Sequence, residues 1–208
     1  MIGLLKKDFY MSYCTNPIWV IFILVYTACG ALTDNIFFLS FSMLMSALLV
    51  NSAIASDEQS KWEPYVLALP VSRMQLVLSR YLFGVINVVM FGGIILMTVV
   101  IGDLLGVVAA AGKLAFLPVL FGAGLLMMAV QFPFVIRYGA TKGRVASMLV
   151  VFAVMATTGG LTAAMENDRV VQSIQHASWL LWVAPLIGLA ALLISLAVSL
   201  VLVEKKNY

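Results

Sequence analysis

The side chains able to do chemistry are few, and the largest group falls within residues 57–81, DEQSKWEPYVLALPVSRMQLVLSRY. Asp57, Glu58, Lys61 and Glu63 surround Trp62, with Gln59 and Ser60 between them, and Arg73 and Arg80 follow. An aromatic ring flanked by charges of both signs is the chemistry of docking. The ring supplies a desolvated anchor, and the charges select a complementary partner. The same residues also suit a solvated loop whose arginines snorkel to lipid headgroups. Residue type alone leaves both readings open.

Catalysis has less to work with. The sole histidine, His176, has no second histidine to share a metal, and neither Gly-x-Ser-x-Gly nor GxxxxGK[ST] occurs. An intramembrane serine nucleophile would lack its base, a metal hydrolase its paired ligands and a nucleotide site its phosphate loop. Asp57, Glu58 and Glu63 could imitate the acids of a lipid-headgroup transferase, but they lack a regular spacing. Cys14 and Cys29 stand about 22 Å apart along a continuous helix, too far to pair within it.

A second set of polar residues is uncharged and lies inside apolar runs. Ser46, Asn51, Asn87, Gln131, Thr157 and Thr158 are candidates to line a translocation path. Each could instead make interhelical hydrogen bonds worth ~0.6–2 kcal/mol. Asn51 and Gln131 matter most, because a primary amide is costly in lipid. Met127 and Met128 suit either varied amphipathic cargo or ordinary packing. Pro133 could be a hinge or a static kink. Ala156, Gly160 and Ala164, spaced by four, permit close helix packing, as at a dimer interface.

The elements that must position these residues follow from composition. Of 208 residues, 63% are hydrophobic and 10% charged, against about 25% charged in a soluble domain. That excludes a soluble enzyme or a nucleic-acid binder, despite a formal charge of +3. Stretches free of Asp, Glu, Lys and Arg run over about 18–33, 36–56, 82–102, 114–136, 145–165 and 179–203. Most reach the ~20 residues that cross a bilayer as a helix. The apolar runs are continuous rather than alternating, so they are not barrel strands. The expectation is an all-α polytopic membrane protein, one domain over 1–208 with six transmembrane helices.

With the N-terminus inside, ten of the twelve basic residues fall in inner segments and only Lys113 and Arg169 outside. That asymmetry places both termini in the cytoplasm. Lys6 and Lys7 before an apolar run imitate a secretory signal, but the poor cleavage site reads as an uncleaved first span. Ile2, Leu5, Phe9 and Tyr13 have helical spacing, which suggests an interfacial helix lying on the inner leaflet; a frayed polar tail is the alternative. Tyr81 and Tyr138 fall where an inner aromatic belt is expected, Trp179 and Trp182 at the outer one. The connection 57–81 is the longest, 25 residues against at most about 13 elsewhere. Pro64 and Pro70 break it, and Ser72 can cap a helix that starts near Arg73.

This connection resembles the loop between the second and third spans of ABC-2 type transporter permeases. The residues that carry the resemblance are Asp57-Glu58, Trp62-Glu63, Leu67-Ala68-Leu69-Pro70-Val71-Ser72-Arg73 and Arg80-Tyr81, with Leu4-Leu5-Lys6-Lys7-Asp8-Phe9 similar to the family's usual start. Glu58 and Lys61-Trp62 replace an Arg and a Gly-Thr found in many members. In that respect the chain is similar to a small bacterial subgroup of peptide exporters, such as the phenol-soluble modulin exporter.

The resemblance implies a coupling helix over Asp57, Glu58, Gln59, Ser60, Lys61, Trp62 and Glu63 that docks a separate cytoplasmic ATPase. Arg73, Arg80 and Tyr81 would lie at the inner interface. ATP and Mg would be held by the partner, with no cofactor or metal on this chain. It further implies a dimer with itself or a homologous permease, lipid contacts and peptide cargo in a bacterial plasma membrane. A vitamin-capture subunit is the rival transport reading, but it would not explain the long cytoplasmic connection. Peptide export and self-immunity against a toxic peptide share one mechanism.

Overall fold

The computed structural model describes residues 2–14, 17–33, 36–62, 65, 72–106, 110–165 and 182–205, with the side chains of some helical residues, mostly within 140–165, left out. Among them the chain is helical throughout: α1 (Ile2–Tyr13), α2 (Pro17–Leu32), α3 (Ile36–Gln59), α4 (Arg73–Leu104), α5 (Ala110–Met165) and α6 (Val183–Lys205). Pro17 opens α2, at the position where its missing N–H costs nothing. The axes of α1 and α2 differ by 73°. Ser72 caps α4 through a reciprocal box in which its hydroxyl accepts from the Gln75 N–H and the Gln75 side chain accepts from the Ser72 N–H. From that cap α4 runs 32 residues without a break, so the amphipathic stretch after Arg73 and the apolar run after it are one helix.

Helix α5 contains Pro118 and Pro133 and breaks at Gly139, where φ is 83° and ψ 167°. That backbone conformation is open almost only to glycine. Among the described residues four helices are long and apolar enough to cross a membrane: Ile36–Gln59, Met74–Leu104, Lys113–Gly139 and Val183–Val203. The bent pair α1–α2 is a fifth candidate if it counts as one span. The expectation of separate spans over 18–33 and 145–165 therefore goes further than these helices do. The 16 residues of α2 rise only about 24 Å, short of a ~30 Å hydrocarbon layer. The stretch 145–165 is helical, as the second limb of α5.

Helix α3 is the centre of the bundle. Leu39, Met43, Leu44, Ala47, Val50 and Ile54 are buried on it and pack with Phe83, Val88 and Ile95 of α4 and Met127, Met128 and Phe132 of α5. Met127 and Met128 are thus core residues. Helix α3 and the first limb of α5 run in parallel with one register. A Cβ on Gly124 would touch Met43, and one on Gly139 would meet Glu58, both pairs 81 residues apart. Helices α5 and α6 approach almost backbone to backbone, for a Cβ on Gly122 would stand 2.6 Å from the Ala184 carbonyl. Outward, Ile18, Ile21 and Val25 of α2 and Leu186, Leu193 and Ile194 of α6 are more than half exposed. Apolar surface on that scale suits lipid rather than water.

Candidate transmission site

The 57–62 stretch does not start as a helix of its own, although Trp62 and Tyr65, beyond the turn at 60–61, are again helical. Asp57, Glu58 and Gln59 are the last turn of α3. Lys61 then adopts a left-handed conformation, φ 50°, and its N–H reaches the Glu58 carbonyl at 3.2 Å, which closes the helix. Glu58, Gln59, Ser60 and Lys61 are exposed. Glu58 lies against the break in α5, where a Cβ on Gly139 would be 3.2 Å from its Oε1.

Asp57 points the other way. Its carboxylate is 3% exposed and receives the Lys7 ammonium of α1 on both oxygens, at 2.7 and 2.6 Å. The Arg80 guanidinium of α4 approaches the same carboxylate at 3.4 Å. Lys7 also pairs with Asp8 at 3.2 Å and sits 5.1 Å from the centre of the Trp62 ring. Two acids and two bases from three helices therefore neutralise one another in a nearly dry pocket, covered by an aromatic ring. Burial pushes the Asp8 carboxyl above its ordinary range; Lys7 opposes that shift, Asp57 adds to it and Arg80 opposes it. Removing the Asp57 carboxylate from this cluster costs about 3–5 kcal/mol, because it strands Lys7 and Arg80 without their shared counter-charge.

Helix α1 is fastened along its length. Phe9 meets Phe83 edge-on at 5.0 Å, and Tyr13 stacks on Phe91 at 6.5 Å. The Tyr13 hydroxyl donates to Asn87 Oδ1 at 2.6 Å, while Asn87 Nδ2 donates to the Phe83 carbonyl. The apolar face of α1 expected to rest on lipid instead packs Leu5, Phe9 and Tyr13 against the protein core. Lys6 and Tyr10 on the opposite face remain exposed.

Several expected site residues are placed differently from the sequence reading. Arg80 and Tyr81, expected near headgroups, are 8% and 3% exposed. Arg80 turns in because Asp57 is there. The Tyr81 hydroxyl is shared with Ser195 Oγ and Ser199 Oγ of α6 at 2.7 and 2.8 Å, and its ring lies on Phe132. Among path candidates, Ser46 is fully buried and bonds the Met43 carbonyl, and both ends of the Asn87 amide are engaged. Asn51 is half-buried. Gln131 is 2% exposed, and its Nε2 has no hydrogen-bond partner among the described residues. Thr157 and Thr158 lie on the second limb of α5 with side chains outside the described set, as does the Arg73 side chain; Glu63 and His176 lie outside the described residues. No cluster of metal-ligating side chains occurs among the described residues.

Sequence reasoning missed the role of Lys7 and the inward turn of Asp57. A signal for the second was present. Met43, Ala47, Val50, Ile54 and Asp57 continue one buried helical stripe, spaced by four and three, while Glu58 and Gln59 leave it.

An all-helical bundle with an apolar exterior and a charge cluster at one end defines a multi-pass membrane protein. Residues 3–204 match the model of the ABC-2 family transporter protein, and the chain belongs to that family. It is a membrane permease subunit of an ABC transporter, a class that works with an ABC ATPase. No curated protein and no solved structure matched the chain.

Proposed function

We propose that this chain is the membrane half of an exporter in which the end of α3 is gripped by the ATPase and the Asp57 cluster passes the movement inward. The observation that carries the reading is the pairing of Asp57 with both Lys7 and Arg80. The exposed residues Glu58, Gln59, Ser60 and Lys61 form the gripping face, with Glu63 completing it. Trp62 ties that face to Lys7. A push on it must move α1 and α4 together with α3, because separating them would strand buried charge.

In this reading 18–33 and 145–165 join the four long helices to make six spans. Both termini face the cytoplasm, in keeping with the ten-to-two distribution of Lys and Arg. Two such chains, identical or homologous, make the full path in a bacterial plasma membrane. ATP and Mg are held by the partner. The cargo is an amphipathic or toxic peptide or a similar hydrophobic molecule, which suits a path with no ionised side chain in mid-span. Purification of the chain with the ATPase encoded beside it tests the proposal. A stable, nucleotide-responsive complex is expected, and failure of any such ATPase to bind sinks it. Trp62→Ala and Glu58→Lys should both weaken ATPase binding and uncouple transport while the bundle still folds; unchanged coupling in both would reduce the 57–63 stretch to a plain connection.

A further inference from the structure

Roughly 32 Å from the Asp57 cluster, at the other end of α3, a single ammonium joins the ends of two helices. Lys113 stands in the first turns of α5, yet it is 5% exposed. Its Nζ donates to the carbonyls of Thr33 at 2.6 Å, Ala31 at 3.1 Å and Gly30 at 3.3 Å. Gly30 and Ala31 belong to the last turn of α2, whose carbonyls find no partner further along their own helix. The end of α4 comes to the same place, for a Cβ on Gly102 would lie 3.9 Å from the Ala31 carbonyl.

The local effects of this lysine oppose one another. The cation is unfavourable at the N-terminus of α5 and favourable at the C-terminus of α2, and its burial is offset by three carbonyl bonds. A methionine would fill similar space but leave those carbonyls without this donor. What lysine adds beyond a cap is reversibility. Ammonium and carbonyls are bonded to each other when the helix ends meet, and both are well hydrated when they part, so neither state leaves a polar group stranded. An apolar plug would resist opening by exposing itself to water.

We infer that Lys113 is a latch. It holds the α2–α3 hairpin against α5 in the closed bundle and releases it when this end opens. The inference rests on the transporter reading above, in whose orientation this end is the outer mouth.

The test uses the full chain with Cys14→Ser and Cys29→Ser as background. In proteoliposomes with the partner ATPase, Thr33→Cys and Lys113→Cys are joined by a short bifunctional methanethiosulfonate. Joining should abolish most ATP-driven transport, because a covalent link cannot part as hydrogen bonds do, and reduction of the link should restore it. Transport at the unlinked rate overturns the latch. A second arm needs no ATPase. Ala31→Cys introduces a thiol at a 5% exposed position, and its reaction with a membrane-impermeant methanethiosulfonate is timed. Lys113→Met should speed that reaction several-fold, and Lys113→Arg should leave it near the parent rate. Equal rates in Met and parent, with only a lower unfolding temperature, would make Lys113 a structural cap and overturn the proposal. Absence of ATP-driven transport in the unlinked complex would instead count against the transporter reading, and the labelling arm would still decide the latch.

Discussion

At the scale of single residues, the face a charged group occupies decides its role. Asp57 and Glu58 are neighbours of the same charge, yet one is buried on two cations and the other is exposed beside Gly139. Lys61 ends their helix just beyond them, in a conformation that costs an L-residue about 1–2 kcal/mol. Lys61→Gly should therefore raise the unfolding temperature in detergent, with a gain of up to about 1 kcal/mol, and Lys61→Val should lower it by a similar amount. Asp8 makes a pH prediction. Its folded-state pKa lies above 3.8, so the folded protein holds the proton more tightly than the unfolded chain. Its contribution to stability is greatest below pH 3.8 and is lost as the pH rises through the folded value. Asp8→Asn should flatten that part of the stability profile and leave the variant the more stable form at neutral pH. An unchanged slope would show that Asp8 is not the group responsible.

At the scale of elements, much of the bundle was legible and its tertiary bonding was not. Continuous apolar runs announce helices, and Ser72 with Gln75 announces where α4 begins. The stripe that ends in Asp57 shows which acid turns inward. By contrast, the partners of Tyr81 are Ser195 and Ser199, more than a hundred residues away on a different helix, and no local pattern encodes that pairing. The same holds for Lys7 and Asp57, and for Lys113 and the end of α2. The length of α1 was readable from the spacing of Leu5, Phe9 and Tyr13. That its apolar face would meet Phe83 and Phe91 rather than lipid was not, since both surroundings reward the same residues. The α5–α6 contact makes a prediction at this scale. Gly122→Val places its branches against the Ala184 carbonyl and must force the helices apart. A loss of about 1–3 kcal/mol is expected in thermal unfolding, with Gly122→Ala milder; a silent valine would mean that the helices do not touch there.

At the scale of the whole molecule, the two ends of α3 are held by different chemistry. One end is a neutralised cluster of side chains that a partner can push without breaking. The other is an ammonium on backbone carbonyls, a contact that water can replace. Between them lies an apolar core of Met43, Ala47, Val50, Phe83 and Met128, packed closely enough to pass a displacement along its length. Scarcity of charge makes the arrangement visible, since the chain has 21 acidic and basic residues and places four of them in one cluster.

Whether Asp57 transmits movement from the ATPase or merely docks it is decided by measuring ATP hydrolysis and ATP-driven transport together in proteoliposomes that contain Asp57→Asn. The amide keeps the size of the side chain but removes the charge that holds Lys7 and Arg80. The ATPase should stay bound and hydrolysis continue, while most transport per ATP is lost, because Lys7 and Arg80 no longer share a charged partner that ties α1 and α4 to α3. Transport per ATP equal to that of the parent complex would contradict transmission through Asp57.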